Sequence, residues 1–289
     1  MSGFIDPELR SLYGDPREVN RRTFIVTSLS AGFAAAVLPV SAQTITTSAD
    51  GLTAGEVKVP TKDGMMVAYR AMPAGRTGVP VILVVSEVWG AHEHIRDVAR
   101  RFAKLGYYAV APELFARAGD AGKYTDTQAL MKEVVSKTPD AQVMTDLDAA
   151  VAFAKSEKAD TSKLGITGFC WGGRITLLYA AHNPDVDAAV AWYGRLESGG
   201  PAGGNPQDMV AKIKAPVLGL YGGADAGIPN DSVEKFFAAL KASGNAKSEV
   251  MIYPDTPHAF HADYRPSYRK DRAEDGWKRA TAWFKQYLG

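Results

Sequence analysis

Six unbroken apolar runs, Val79 to Ser86, Tyr107 to Ala111, Lys163 to Phe169, Ala188 to Tyr193, Val217 to Tyr221 and Val250 to Tyr253, recur along this chain with helix-period segments between them. A strand that shows no polar alternation is buried on both faces, which is the condition of a parallel sheet covered by helices. The intervening segments predict helices at Ile95 to Leu105, Thr127 to Lys137, Ala141 to Ser156, Gly172 to His182, Ser232 to Ser243 and Ala273 to Leu288. Strict alternation of the two predicts an α/β fold, a mostly parallel, doubly wound sheet with helices on both faces. Ahead of it, Glu56 to Pro60 and Met65 to Ala71 alternate around Lys62-Asp63-Gly64 and predict a hairpin at a sheet edge.

The chain is long enough, at 289 residues with 46% hydrophobic and 22% charged, for one catalytic domain with a substantial core. A net charge of +1 gives no basic excess for nucleic acid, and no zinc-like spacing, phosphate loop or internal repeat is present. No metal or cofactor is expected, and a monomer is. The first residues differ in kind. Arg21-Arg22 precedes Thr23-Phe24, an apolar segment to Val40 and the small-x-small close Val40-Ser41-Ala42. Residues 1–42 therefore resemble a twin-arginine export signal, with Gln43 opening the mature chain, residues 43–54 as a linker and the domain over 55–289. The apolar segment is shorter than a bilayer span and carries Thr27, Ser28, Ser30 and Gly32, so a lasting anchor is not expected. A periplasmic location follows, and there a lone cysteine has no internal disulfide partner.

That cysteine, Cys170, sits in Gly168-Phe169-Cys170-Trp171-Gly172-Gly173 between a predicted strand and a predicted helix. This is the pattern of a nucleophile elbow with a thiol in place of the hydroxyl, where glycines keep side chains out of a tight turn. A thiol reacts as thiolate and needs a base, and the base needs a partner that fixes its tautomer. His258 follows the last strand directly and is the expected base, with His261 as the rival. Asp225, in Gly222-Gly223-Ala224-Asp225 after the fifth long strand, is the expected acid; Asp231 reads as a helix N-cap. Glu87 ends the first long strand, so Glu87, Cys170, Asp225 and His258 all fall at the carboxyl edge of the sheet, where such sheets bind ligands. His92 and His94 read as surface residues at a helix start.

These residues together resemble the dienelactone hydrolase family of α/β-hydrolases. The resemblance runs from about Gly55 to Leu288 and rests on the elbow, on Gly223-Ala224-Asp225, Pro257-His258-Ala259-Phe260 and Ser86-Glu87-Val88-Trp89-Gly90, and on Pro112-Glu113-Leu114-Phe115-Ala116-Arg117. It implies the α/β-hydrolase fold and a Cys170, His258 and Asp225 triad. It also implies that Glu87 contacts the resting thiol until substrate displaces it, and that the backbone N–H groups of Val88 and Trp171 form the oxyanion hole. The implied reaction is hydrolysis of a small ester or lactone through a thioester. Family members resemble carboxylate binders with two arginines; Arg117 matches one, but Ala262 stands where the second belongs, leaving Arg265 as a candidate from the same loop. Trp89, Trp171, Trp192 and Tyr193 are pocket or core aromatics, and Gly199 to Gly204 reads as a mobile connection. Two other functions stay open on this scaffold: a ligand-binding or redox-sensing protein that uses Cys170 as a switch, and a hydrolase of peptides, thioesters or carbon-halogen bonds.

Overall fold

In the computed structural model, residues 44–197 and 204–289 are described. The export-signal expectation over 1–42 lies outside the described residues, as does nearly all of the Gly199 to Gly204 connection. The described chain forms one eight-stranded sheet in the order β1-β2-β4-β3-β5-β6-β7-β8. The strands are β1 (Leu52–Thr61), β2 (Gly64–Pro73), β3 (Pro80–Val85), β4 (Tyr108–Pro112), β5 (Asp160–Phe169), β6 (Val186–Trp192), β7 (Val217–Gly222) and β8 (Glu249–Tyr253). The hairpin β1–β2 pairs antiparallel at one edge and joins β4 antiparallel, and every later pairing is parallel. Five of the six apolar runs are interior strands, with Val81 to Val85 and Tyr108 to Ala111 fully buried, whereas the sixth, Val250 to Tyr253, lies in β8, a half-buried strand at the far edge that pairs on one side alone.

Among the described residues six α-helices accompany the sheet: α1 (Glu93–Lys104), α2 (Thr127–Glu133), α3 (Asp140–Ser156), α4 (Trp171–His182), α5 (Asn230–Ala242) and α6 (Lys270–Leu288). Three boundaries differ from expectation for physical reasons. The helix predicted over Thr127 to Lys137 breaks at Val134 and continues as a 3-10 turn over Val135–Lys137, which lets both valines be buried ahead of Pro139. Helix α5 starts at Asn230 after an extended Pro229, so Asp231 lies inside its first turn and is not the N-cap. The linker expectation also fails: β1 already begins at Leu52, and the segment before it is strapped onto α1. The Ile45 N–H donates to Asp263 at 3.0 Å, the Thr47 N–H donates to Asp97, and Arg100 Nε donates to the Thr47 carbonyl at 2.8 Å. Asp97 and Asp263 are both buried, so these backbone groups help satisfy charges that would otherwise be costly to bury.

Because β3, β5, β7 and β8 run parallel, their carboxyl ends share one edge. Glu87, Cys170, Asp225 and His258 each follow one of those ends within five residues, and the site is assembled there.

Candidate active site

The elbow is dictated by backbone crowding. Cys170 leaves β5 and enters α4 with φ 55° and ψ −116°, a left-handed conformation that costs a non-glycine residue free energy and persists only where the surroundings impose it. They do so here. A Cβ on Gly168 would lie 2.2 Å from the Gly172 carbonyl oxygen, and a Cβ on Gly172 would lie 2.4 Å from the Ser86 carbonyl oxygen. The Cys170 N–H is held by the Trp192 carbonyl at 3.0 Å. Trp171 is the first residue of α4, where an N–H has no intrahelical acceptor, and Val88 is buried directly after Glu87.

His258 and Asp225 arrive on two loops that are stitched together: the Gly223 N–H donates to the Tyr253 carbonyl at 2.7 Å and the Ala224 N–H to the Thr256 carbonyl at 2.9 Å. His258 Nδ1 and Asp225 Oδ2 are 2.5 Å apart, both side chains are buried, and the other Asp225 oxygen accepts the Gly227 N–H at 2.9 Å. With Nδ1 taken, Nε2 is the nitrogen through which the ring can exchange a proton with Cys170. Burial is the largest influence on the imidazole and pulls its pKa down. The charge of Asp225 and, once the thiol is ionised, that of Cys170, with hydrogen bonds to both, outweigh it and hold the ring well above its ordinary 6.5, so the imidazolium is favoured as the thiol gives up its proton. His261, the rival, lies elsewhere: its ring stacks on Phe169 at 5.0 Å and meets Trp192 at 4.5 Å, and burial, then the charges of His94 and Arg101, keeps it neutral.

Glu87 is buried, with the Tyr264 hydroxyl donating to Oε2 and Arg265 3.3 Å from the same oxygen. Burial acts most strongly on Glu87 and would raise its pKa; the charge of Arg265 and then the Tyr264 hydrogen bond reverse this and leave it below its ordinary value, an ionised carboxylate. The guanidinium of Arg265 lies over the rings of Trp89 and Tyr264, 5.9 and 5.4 Å from their centroids. Arg265 and Trp89 therefore stand beside Glu87. Arg117 does not share this arrangement. Both its terminal nitrogens bond Asp146, at 2.6 and 2.9 Å, and one also bonds Asp63 at 2.7 Å and Thr61 at 2.8 Å, so the arginine singled out in the sequence is committed to a bridge between the hairpin turn and α3.

The histidines at the start of α1 also correct the sequence reading. His94 is buried with Nδ1 2.9 Å from Asp263, and His92 is half-buried with its ring edge-on to Tyr264 at 4.8 Å. Burial, then repulsion from His94, lowers the His92 pKa to about 3, so the ring is neutral. The sequence reading missed Tyr264. No spacing signals that its hydroxyl reaches a carboxylate 177 positions away, although its place beside Arg265 in the His258 loop is the one available hint. Tyr193 lies beside His258, the two rings 5.0 Å apart.

Comparison with known proteins agrees with this geometry: the profile described as the dienelactone hydrolase family matches residues 66–288. The chain belongs to the dienelactone hydrolase family. It is 61% identical to a candidate carboxymethylenebutenolidase of Methylorubrum extorquens over 98% of both chains, and 49% identical to one of Escherichia coli O157:H7 over 92% of this chain and 98% of that one. The crystal structure of a candidate dienelactone hydrolase from Klebsiella pneumoniae superposes with a TM-score of 0.78 at 51% identity, covering 82% of this chain and 99% of that one. The α/β-hydrolase fold is thereby established for this family member.

A pH dependence follows from His258. A folded pKa raised above the unfolded value stabilises the fold fully below about 6.5, and that contribution disappears as pH rises through the folded value. Asp225→Asn removes the largest raising partner. Its urea-unfolding free energy is expected to fall short of wild type by roughly 3 kcal/mol near pH ~6 and by much less near pH ~10. An equal deficit at both pH values would mean that Asp225 does not hold a protonated imidazole.

Proposed function

We propose that this chain hydrolyses small esters or lactones through a Cys170 thioester. The observation that carries the reading is the elbow cysteine at a positive φ beside a buried His258–Asp225 couple. In this route His258 Nε2 accepts the Cys170 proton, and the thiolate attacks the carbonyl carbon. The oxyanion is met by the N–H groups of Val88 and Trp171. The tetrahedral intermediate collapses with loss of the alkoxide, which takes the proton from His258; in a lactone the ring opens and the alcohol stays attached. A water, deprotonated by His258, then attacks the thioester and releases the acid and the thiol. Asp225 holds the imidazole's tautomer and balances its charge. Glu87 regulates the resting thiol: ionised and anchored by Tyr264 and Arg265, it disfavours a second negative charge at Cys170 until substrate enters.

Cys170→Ala is expected to abolish turnover of p-nitrophenyl acetate, and Cys170→Ser to retain about 1% or less, since a serine hydroxyl is far harder to ionise in a site built for a thiol. Intact-mass measurement within seconds of mixing should show a transient acetyl adduct that is absent from Cys170→Ala. Turnover by Cys170→Ala at the wild-type rate would refute the assignment, and a lasting oxidised thiol without any acyl adduct would favour the redox-sensing alternative.

The substrate's anionic group, in this reading, meets Arg265, because Arg117 is already bonded to two carboxylates. Comparing an anionic dienelactone with its neutral methyl ester, Arg265→Gln should lower kcat/KM for the anion about tenfold or more relative to the ester, whereas Arg117→Gln should leave the ratio unchanged. A ratio that follows Arg117 and ignores Arg265 would reverse these roles.

Export by the twin-arginine route is part of the same proposal and is supported by Arg21-Arg22, the apolar segment and Val40-Ser41-Ala42. Fractionation of a bacterial host should place a form beginning at Gln43 in the periplasm. Full-length protein confined to the cytosol would overturn it.

A further inference from the structure

The loop that carries Glu87, Val88 and Trp89 runs from the end of β3 to the start of α1 and has two internal bonds, a long one from the Gly90 N–H to the Glu87 carbonyl at 3.4 Å and one from the His92 N–H to the Gly90 carbonyl at 2.9 Å. The Ala91 backbone between them is gripped by side chains from outside the loop. The Ala91 peptide is taken on both sides, its N–H donating to Glu113 Oε2 at 2.7 Å and its carbonyl accepting from Arg96 Nε at 2.8 Å. Gly90 has φ +77°, and a Cβ there would lie 2.7 Å from both Glu113 oxygens, so the carboxylate rests flat against the turn. Glu113 is itself anchored, since its N–H donates to the Val67 carbonyl at 2.8 Å. Two residues on, Phe115 packs on the Trp171 ring at 4.6 Å between centroids. The short segment after β4 thus touches the flanks of both backbone groups assigned to the oxyanion hole, one through a carboxylate and one through an aromatic ring.

We propose that Glu113 is a positioning residue for the oxyanion hole, its carboxylate fixing the Gly90–Ala91 turn so that the Val88 N–H points at the substrate carbonyl. This rests on the thioester route above. Glu113 touches neither the nucleophile nor the substrate and acts through the loop backbone. An oxyanion donor works only when pre-aimed at the place where charge develops, so loosening the loop acts on the transition state and spares ground-state binding. Thiol reactivity lies outside this effect. Alkylation of Cys170 develops no charge on a carbonyl oxygen, and Glu87 is held separately by Tyr264 and Arg265.

The test compares wild type, Glu113→Ala and Glu113→Gln by three readouts: kcat and KM for p-nitrophenyl acetate, the acylation rate of Cys170 by intact mass, and the alkylation rate of Cys170 by iodoacetamide. Glu113→Ala is expected to lower kcat and acylation about 30-fold, with KM and alkylation each within about threefold of wild type. Glu113→Gln keeps an acceptor for the Ala91 N–H and should recover acylation to within about threefold of wild type. The proposal is overturned if Glu113→Ala acylates at the wild-type rate, if alkylation falls in parallel with acylation, or if Glu113→Gln is as slow as Glu113→Ala. Failure of the underlying route looks different: wild type itself would then form no acyl adduct on Cys170.

Discussion

The contact on which the rest of the structure depends is the meeting of bare backbones beneath Cys170. Gly172 lies against the carbonyls of Val85 and Ser86, where a Cβ would come within 2.5 and 2.4 Å, and Gly173 lies against the Trp192 carbonyl, where one would come within 2.5 Å. Helix α4 is thereby pressed onto the ends of β3 and β6 at once. This does three things together. It forces the strained backbone at Cys170, it sets the distance between the thiol and the Glu87 loop that leaves β3, and it brings Tyr193, directly after β6, beside His258. A protein interior transmits such constraints because it is close-packed, so a methyl group anywhere in this contact would shift all three.

Around that contact the charges are arranged as closed couples. Asp225 faces His258, Glu87 faces Arg265, and Asp263 faces His94 and Arg101. Buried charge is tolerable only when paired and hydrogen-bonded, and each couple uses backbone or phenolic donors to complete the pairing. The couples also speak to one another. Arg265 and Tyr264 hold Glu87 ionised, and a Cys170 that has given up its proton raises the pKa of both His258 and Arg265. In the proposed route a thiol in this setting meets a raised imidazole on one side and a carboxylate on the other, and the opposition of the two protects it until a substrate alters the balance.

How much of this was legible in the sequence depends on the range over which each signal acts. The interior strands were legible because burial on both faces leaves runs that are apolar almost throughout, with Thr167 tolerated by its bond to the Val190 carbonyl, and the parallel order then carried Glu87, Cys170, Asp225 and His258 to one edge without any knowledge of contacts. The elbow was legible because only glycine tolerates the approach at Gly168 and Gly172. The linker reading failed because Thr44 to Ala49 is small and polar in composition, yet the bonds that fix it run from backbone N–H groups at Ile45 and Thr47 to carboxylates on distant elements. Composition describes side chains, and here the backbone was the partner. His94 was misjudged for a related reason: its burial is made tolerable by Asp263, 169 positions later.

The two arginines show the same limit in a form that bears on specificity. Arg117 lies where the family resemblance looks for a clamp, but Asp63 and Asp146 are close enough to claim its charge, and neither carboxylate is near it in sequence. Arg265 lies outside the expected position, yet the loop after His258 brings it against Glu87 and over the Trp89 ring. A guanidinium bound to two carboxylates has little remaining affinity for a third, while one balanced by a single buried carboxylate can exchange partners when an anion arrives. Which arginine is free to take an anion is therefore decided by which carboxylates compete for it, a property of the folded charge distribution that neither a motif nor a spacing encodes.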